Sequence, residues 1–126
     1  MRILLDTHIL LWAAKGALEP KIKSLLENTS NDLYFSPVNI WEIELKREKL
    51  GVDPKTFYQI LIRNGYRELA FTSRHVVALR QLPQLPGDPF DRILLAQALS
   101  EDIFLLTADT VVKQYSAYVG CILSFD

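Results

Sequence analysis

The chain has 126 residues, 49% apolar and 23% charged, which is enough for a hydrophobic core and excludes a disordered polypeptide. Fourteen basic against fifteen acidic side chains leave a net charge of −1. That excludes a nucleic-acid binder held by bulk positive charge, though not a local basic patch on phosphates.

The opening "MRILLDTHILLWAAK" begins with a buried-strand pattern, the apolar run Arg2 to Leu5, and continues as a helix through "ILLWAA". Asp6 and His8 interrupt it and no small-residue cleavage site follows, so a signal peptide is not expected. No apolar run reaches membrane-spanning length. A second helix is predicted over Pro20 to Asn28 and a second strand over Asp32 to Ser36. Ser36-Pro37 then supplies a cap and a proline at the first helical position. The helix that follows carries Val38, Trp41 and Leu45 at core spacing and fades near Gly51. Asp53-Pro54 repeats the start signal for a helix through Phe57, Ile60 and Leu61, ending at Asn64-Gly65.

"ELAFT" (Glu68 to Thr72) is predicted as the third strand, and Ser73 as the cap of a helix presenting Val76, Leu79 and Leu82. After the loop "PQLPG", Asp88-Pro89 opens a helix from Phe90 to about Ser100. "IFLLT" reads as the fourth strand, Thr110 to Tyr115 as a short helix and "CILSF" as a last strand. Strands separated by helices predict a parallel sheet covered on both faces. No linker divides the chain, so one domain over residues 1–126 is expected. Trp12 and Trp41 are read as core residues, and His8 and His75 as fillers without a ligand motif. Cys121 stands alone. No intrachain disulfide can form, and a reducing, cytoplasmic setting is expected.

Sites in open parallel sheets form at the carboxyl ends of the strands. Asp6 follows the first strand, Glu42 lies in the second turn of the helix leaving the second, and Asp109 falls two residues beyond the fourth. Asp91 starts a helix that runs back across the sheet, so it belongs at the same rim. Each has an ordinary explanation: Asp6 and Asp109 as caps, Glu42 as the partner of Lys46 four residues on, Asp91 as a dipole-favoured acid, and Asp88 as the cap before Pro89. Convergence is not explained that way. Four carboxylates at one rim must be protonated or share a divalent cation. All-oxygen ligands suit Mg²⁺ or Mn²⁺ and argue against Zn²⁺. A cation so held is suited to phosphodiester hydrolysis. Lys46 and Arg92 are the nearest cations by sequence, available to hold a phosphate or tether the acids.

Together, "LLDTHILLW", "WEIELK", "DPFDRILLAQA" and "LLTAD" resemble the PIN-domain ribonucleases, most closely VapC-type toxins of toxin–antitoxin pairs, over Met1 to about Asp109. The resemblance implies a three-layer α/β/α sandwich with about four to five parallel strands and a Mg²⁺- or Mn²⁺-dependent endoribonuclease. It implies Asp6 and Asp91 as principal metal ligands, Glu42 as a ligand or water-positioning residue, and Asp109 as an outer or second-metal ligand. Thr7 and Thr107 match polar residues beside those acids. It also implies an RNA substrate, a homodimer and a small cognate antitoxin whose tail occupies the groove. Two departures bear on substrate choice or rate. Pro86-Gly87 stands where many relatives have a histidine, and Asn39 stands where many have serine.

Two other classes are open to test. A non-catalytic RNA- or antitoxin-binding module with the same scaffold would not require four acids at one rim. A phosphoacceptor receiver domain expects paired acids after the first strand and a lysine near the last. Here Thr7-His8 follows Asp6, and no lysine follows Lys113.

Overall fold

The apolar run Arg2–Leu5 forms β1, the central strand of a five-stranded, all-parallel sheet. The structure, a computed structural model, describes residues 1–85 and 87–124. After β1 come α1 (Thr7–Lys15), α2 (Pro20–Glu27), β2 (Asp32–Phe35), α3 (Pro37–Leu45), α4 (Arg47–Leu50) and α5 (Pro54–Arg63). Then follow β3 (Arg67–Glu68), α6 (Ser73–Val77), α7 (Pro89–Glu101), β4 (Phe104–Leu106), α8 (Thr110–Lys113) and β5 (Ile122–Leu123). The strand order is β3-β2-β1-β4-β5.

Because successive strand residues point to opposite faces, one apolar strand feeds two cores. Leu4 and Leu105 join a cluster with Ala78, Leu94, Leu95, Ala98 and Val112, under α7 and α8. Ile3, Leu5 and Leu106 join another with Ile9, Leu10, Ile22, Phe57 and Leu61, under α1, α2 and α5. The result is the expected α/β/α sandwich. Each fully buried leucine here contributes roughly 1.5–3 kcal/mol of transfer free energy. Helix starts follow the cap signals: Pro20, Pro37, Pro54 and Pro89 each occupy the first turn, where a missing N–H costs nothing. Among the described residues no helix is long and apolar enough to cross a membrane.

Several sequence expectations are corrected. Strand β3 is two residues, not "ELAFT"; only the Leu69 N–H to Phe35 carbonyl bond (2.8 Å) continues the pairing. The chain then leaves the sheet so that Leu69 and Phe71 pack against the α7-side core. Thr72, not Ser73, is the residue that precedes α6. The helix expected to run on through Leu79 breaks after Val77 into a 3₁₀ turn over Ala78–Gln81, leaving Val76 exposed and Ala78 and Leu82 buried. The helix after Pro37 breaks at Lys46, and Gly51 ends α4 with a φ of +66°. Trp12 is 38% exposed and Trp41 52%, so neither is a core residue. In α3 the buried face is Val38, Asn39, Glu42 and Ile43, rotated away from Trp41 and Leu45. Polar partners on neighbouring elements select that face. Pro86 of the proline-rich loop, and Phe125 of the predicted last strand, lie outside the described residues.

His75 is a buried tie, not a filler. Its Nδ1 accepts the Thr72 N–H (3.0 Å), so the neutral ring carries its proton on Nε2 and donates to Glu101 (2.8 Å). That contact, backed by Arg74, holds the Glu101 carboxyl below its ordinary range. Phe71 stacks on the ring at 6.2 Å. Because His75→Ala strands the Thr72 donor and unlocks α6 from α7, urea unfolding is expected to report a loss of about 1–3 kcal/mol.

Candidate active site

Strands β2 and β4 flank β1, so the direction of chain progression reverses beside it. In open α/β sheets the crevice opens there, outside the carboxyl ends of the strands. Helices α1, α3 and α8 begin at that edge because they leave β1, β2 and β4. Helix α7 begins there because it runs back to enter β4.

Asp6 is buried directly after β1. Its Oδ1 accepts the Ile9 N–H (2.9 Å) as the cap of α1, and its Oδ2 accepts the Thr107 hydroxyl (2.5 Å). Burial raises its carboxyl above the ordinary range, and these two bonds partly offset the rise. Thr107 also accepts the Asp109 N–H (3.0 Å), tying the end of β4 to both acids. The Asp109 Oδ1 accepts from Val111 (2.7 Å) and Val112 (3.2 Å) to cap α8.

A second network runs through α3. Thr7 donates to Glu42 Oε1 (2.6 Å), and Lys46 donates to Glu42 Oε2 (2.8 Å). Lys46 Nζ also lies 3.9 Å from Asp88 Oδ2. Asp88 caps α7 through the Phe90 N–H (2.7 Å). The Glu42 hydrogen bond raises the Lys46 ammonium above its ordinary range, so Lys46 stays charged.

Asp91 faces both networks. Among the described residues no hydrogen bond or ion pair holds its carboxylate, and its pKa is pushed up to about 7. Burial is the largest cause, followed by the charges of Asp88, Asp109, Asp6 and Glu42. The charges of the other acids therefore converge on Asp91 across one edge. They do not form a closed cage: among the described residues no three Asp, Glu, His or Cys side chains stand together as a ready metal-binding group. Helix caps take one oxygen of Asp6 and one of Asp109, and Lys46 stands between Glu42 and Asp88.

Among the described residues Arg92 makes no ion pair with the acids. Its Nη1 donates to the Pro83 carbonyl (2.9 Å) and the Tyr115 hydroxyl (2.7 Å), and Tyr115 donates to the Leu85 carbonyl (3.2 Å). Arg92 thus clamps the loop before α7. An apolar groove of about 420 Å³ lies between α1, α2 and α5, lined by Leu10, Leu18, Leu26, Phe57 and Tyr66 and none of the acids.

Sequence inspection named Asn39 only as a departure from the family pattern and passed over Gln97, yet both help to aim these groups. Asn39 is fully buried. Its Oδ1 accepts the Ser36 N–H (2.7 Å), and its Nδ2 donates to Thr7 Oγ1 (3.0 Å) and the Leu5 carbonyl (3.3 Å). Ser36 in turn donates to the buried Gln97 (2.6 Å), joining α3 to α7. The available signal was position: Asn39 is the third residue after the cap, where a capping box places a side chain that reaches back.

Fold and site together define an open α/β domain with an acidic crevice at its topological switch point. The pattern of the PIN domain matches residues 3–118, and the chain belongs to the PIN domain family. Its fold is similar to a chain of VapBC2 from Rickettsia felis, solved bound to a promoter DNA fragment (TM-score 0.75, 16% identity, all of both chains covered). It is also similar to a chain of a toxin–antitoxin complex from Klebsiella pneumoniae (TM-score 0.65, 21% identity, 96% of this chain and 95% of that one). The PIN domain endonuclease Utp24 matches at a TM-score of 0.61 and 15% identity, over 99% of this chain and 85% of that one. No curated protein sequence matches.

Proposed function

We propose that this chain is a Mg²⁺- or Mn²⁺-dependent endoribonuclease that hydrolyses RNA phosphodiester bonds, and that it is the toxin of a toxin–antitoxin pair. The observation that carries the proposal is the gathering of Asp6, Glu42 and Asp109 about Asp91 at the carboxyl edge of a PIN-family sheet. The donor set is oxygen-only, which fits a hard dication. Asp6 and Asp91 would hold it, with Glu42 and Asp109 supporting. When bound, such an ion supplies Lewis acidity and a water of lowered pKa.

The chain's own residues supply the rest. Thr107 and the Ile9 N–H fix Asp6 in one orientation. Thr7 does the same for Glu42. Lys46, charged and part exposed beside Glu42, is the phosphate-holding cation. Arg92 serves the loop instead. Likeness to a toxin–antitoxin complex supports a small antitoxin partner, and family resemblance supports a homodimer.

The test is cleavage of RNA by purified chain with Mg²⁺, repeated with EDTA and with Asp91→Asn. Cleavage lost in both controls is the expected result. Cleavage that persists in both would rule out the metal mechanism, and none under any condition would favour a binding module.

Proton competition gives a further expectation. Asp91 must release its proton to bind a cation, so apparent Mg²⁺ affinity should fall roughly tenfold for each pH unit below about 7 and level off above it. Calorimetric titration at pH 6, 7 and 8 (roughly the range of that titration) checks it.

A further inference from the structure

The face of α3 turned to solvent carries an aromatic platform beside the acids. Trp41 and Phe90 immediately precede Glu42 and Asp91, on two helices that pack together. Their rings meet edge to face, with centroids 5.0 Å apart. Lys46 Nζ lies 5.8 Å from the Phe90 centroid and 2.8 Å from Glu42 Oε2, so one cation borders both the rings and the carboxylates. Trp41 remains 52% exposed.

An indole is amphipathic and rigid, and beside a second ring and an exposed leucine it forms a contiguous apolar patch of the kind that marks a contact site. Phe90 braces the exposed Trp41 ring edge to face, so the indole has little rotamer freedom left to lose on binding. Single-stranded nucleic acid is held by this combination: aromatic faces for bases and a neighbouring cation for the backbone.

We propose that Trp41, braced by Phe90, stacks a nucleobase next to the scissile phosphate and so positions single-stranded RNA over the acids. The inference rests on the proposed ribonuclease function. Lys46 holds the phosphate on the acid side, while Trp41 takes the base on the outer side. A protein contact on the same face is the competing explanation, since Leu45, one turn on, is also exposed. The cation bordering the rings, free to pair with a backbone phosphate on its exposed side, favours RNA.

The experiment combines cleavage kinetics with a stacking probe. Trp41→Leu is expected to raise KM for single-stranded RNA by roughly fivefold to a hundredfold, with kcat changed far less. Trp41→Phe, which keeps a π-face, should recover most of the loss, and Trp41→Leu should unfold near the temperature of the unaltered chain. Separately, Asp91→Asn protein is mixed with short single-stranded RNAs that each carry 2-aminopurine at one position. Quenching at one position, lost in Asp91→Asn/Trp41→Leu, supports the platform even if the unaltered chain cleaves no RNA; in that case only the nuclease assignment fails. Unchanged KM in Trp41→Leu, or no Trp41-dependent quenching at any position, overturns the proposal. A Trp41-dependent change in oligomeric mass with unchanged KM assigns the face to a protein instead.

Discussion

Asp91→Asn is expected to lower RNA cleavage by at least a factor of about 100 while making the metal-free protein more stable at neutral and alkaline pH. The loss follows from removing a cation-binding carboxylate, which forfeits several kcal/mol of transition-state stabilisation at about 1.4 kcal/mol per tenfold. The gain follows from linkage. The folded pKa of Asp91, about 7, lies above the ordinary carboxylate value, so the folded state binds its proton more tightly than the unfolded state does. The stabilisation from that proton is complete below about pH 4 and is lost as pH rises through about 7. Full linkage would amount to about 4 kcal/mol, but Asp91 is part exposed, and solvent screening cuts this to roughly 1–2 kcal/mol. Asparagine carries no charge at any of these pH values. Thermal unfolding in EDTA should therefore find Asp91→Asn melting several degrees above the unaltered chain at pH 8, and level with it at pH 4. Equal melting temperatures of the two chains in EDTA at pH 8 would show that burial and neighbouring charge do not strain Asp91 at this edge.

Asn39→Leu should be among the most damaging single changes outside the acids. Leucine matches asparagine in shape but satisfies none of the three groups that Asn39 serves: the Ser36 N–H, the Thr7 hydroxyl and the Leu5 carbonyl. Stranding buried polar groups together costs roughly 2–4 kcal/mol, measurable as a lower urea midpoint at unchanged slope. Freed from Asn39, Thr7 loses the contact that aims it at Glu42, so cleavage by the surviving folded protein should drop about tenfold to a hundredfold. Asn39→Ser is the informative companion. Serine can still cap the Ser36 N–H but is too short to reach Thr7, so about 1 kcal/mol should be lost while cleavage still falls. Equal cleavage by the serine variant and the unaltered chain would show that Thr7 is held without Asn39.

Most of the architecture was legible because local signals agreed with one another. An apolar run marked β1 as a strand buried on both faces, another marked β4 as a strand, and proline after a capping residue marked the starts of α3, α5 and α7. The acids were placed on one rim by topology alone, since a helix entering a strand must begin at the carboxyl end of a parallel sheet. The pattern failed at α3. There Val38, Trp41 and Leu45 form an apolar spacing, yet the helix buries Asn39 and Glu42 and exposes the tryptophan and the leucine. Apolar periodicity reports where water is avoided, and at a functional edge a polar network outweighs it. The break at Lys46 and the two-residue β3 were likewise hidden.

By itself, then, the amino-acid order determined the alternation of strands and helices in outline, the parallel sheet and the edge at which Asp6, Glu42, Asp91 and Asp109 stand, since these follow from hydropathy, caps and chain direction. Only the tertiary structure decided which way each side chain turns. It gave Lys46 to the acids and Arg92 to the loop, tied Asp6 to Thr107 across 101 positions of sequence, and set Trp41 against Phe90 in the open. Those choices rest on contacts between residues distant along the chain, where burial, like-charge repulsion and hydrogen-bond satisfaction are settled together.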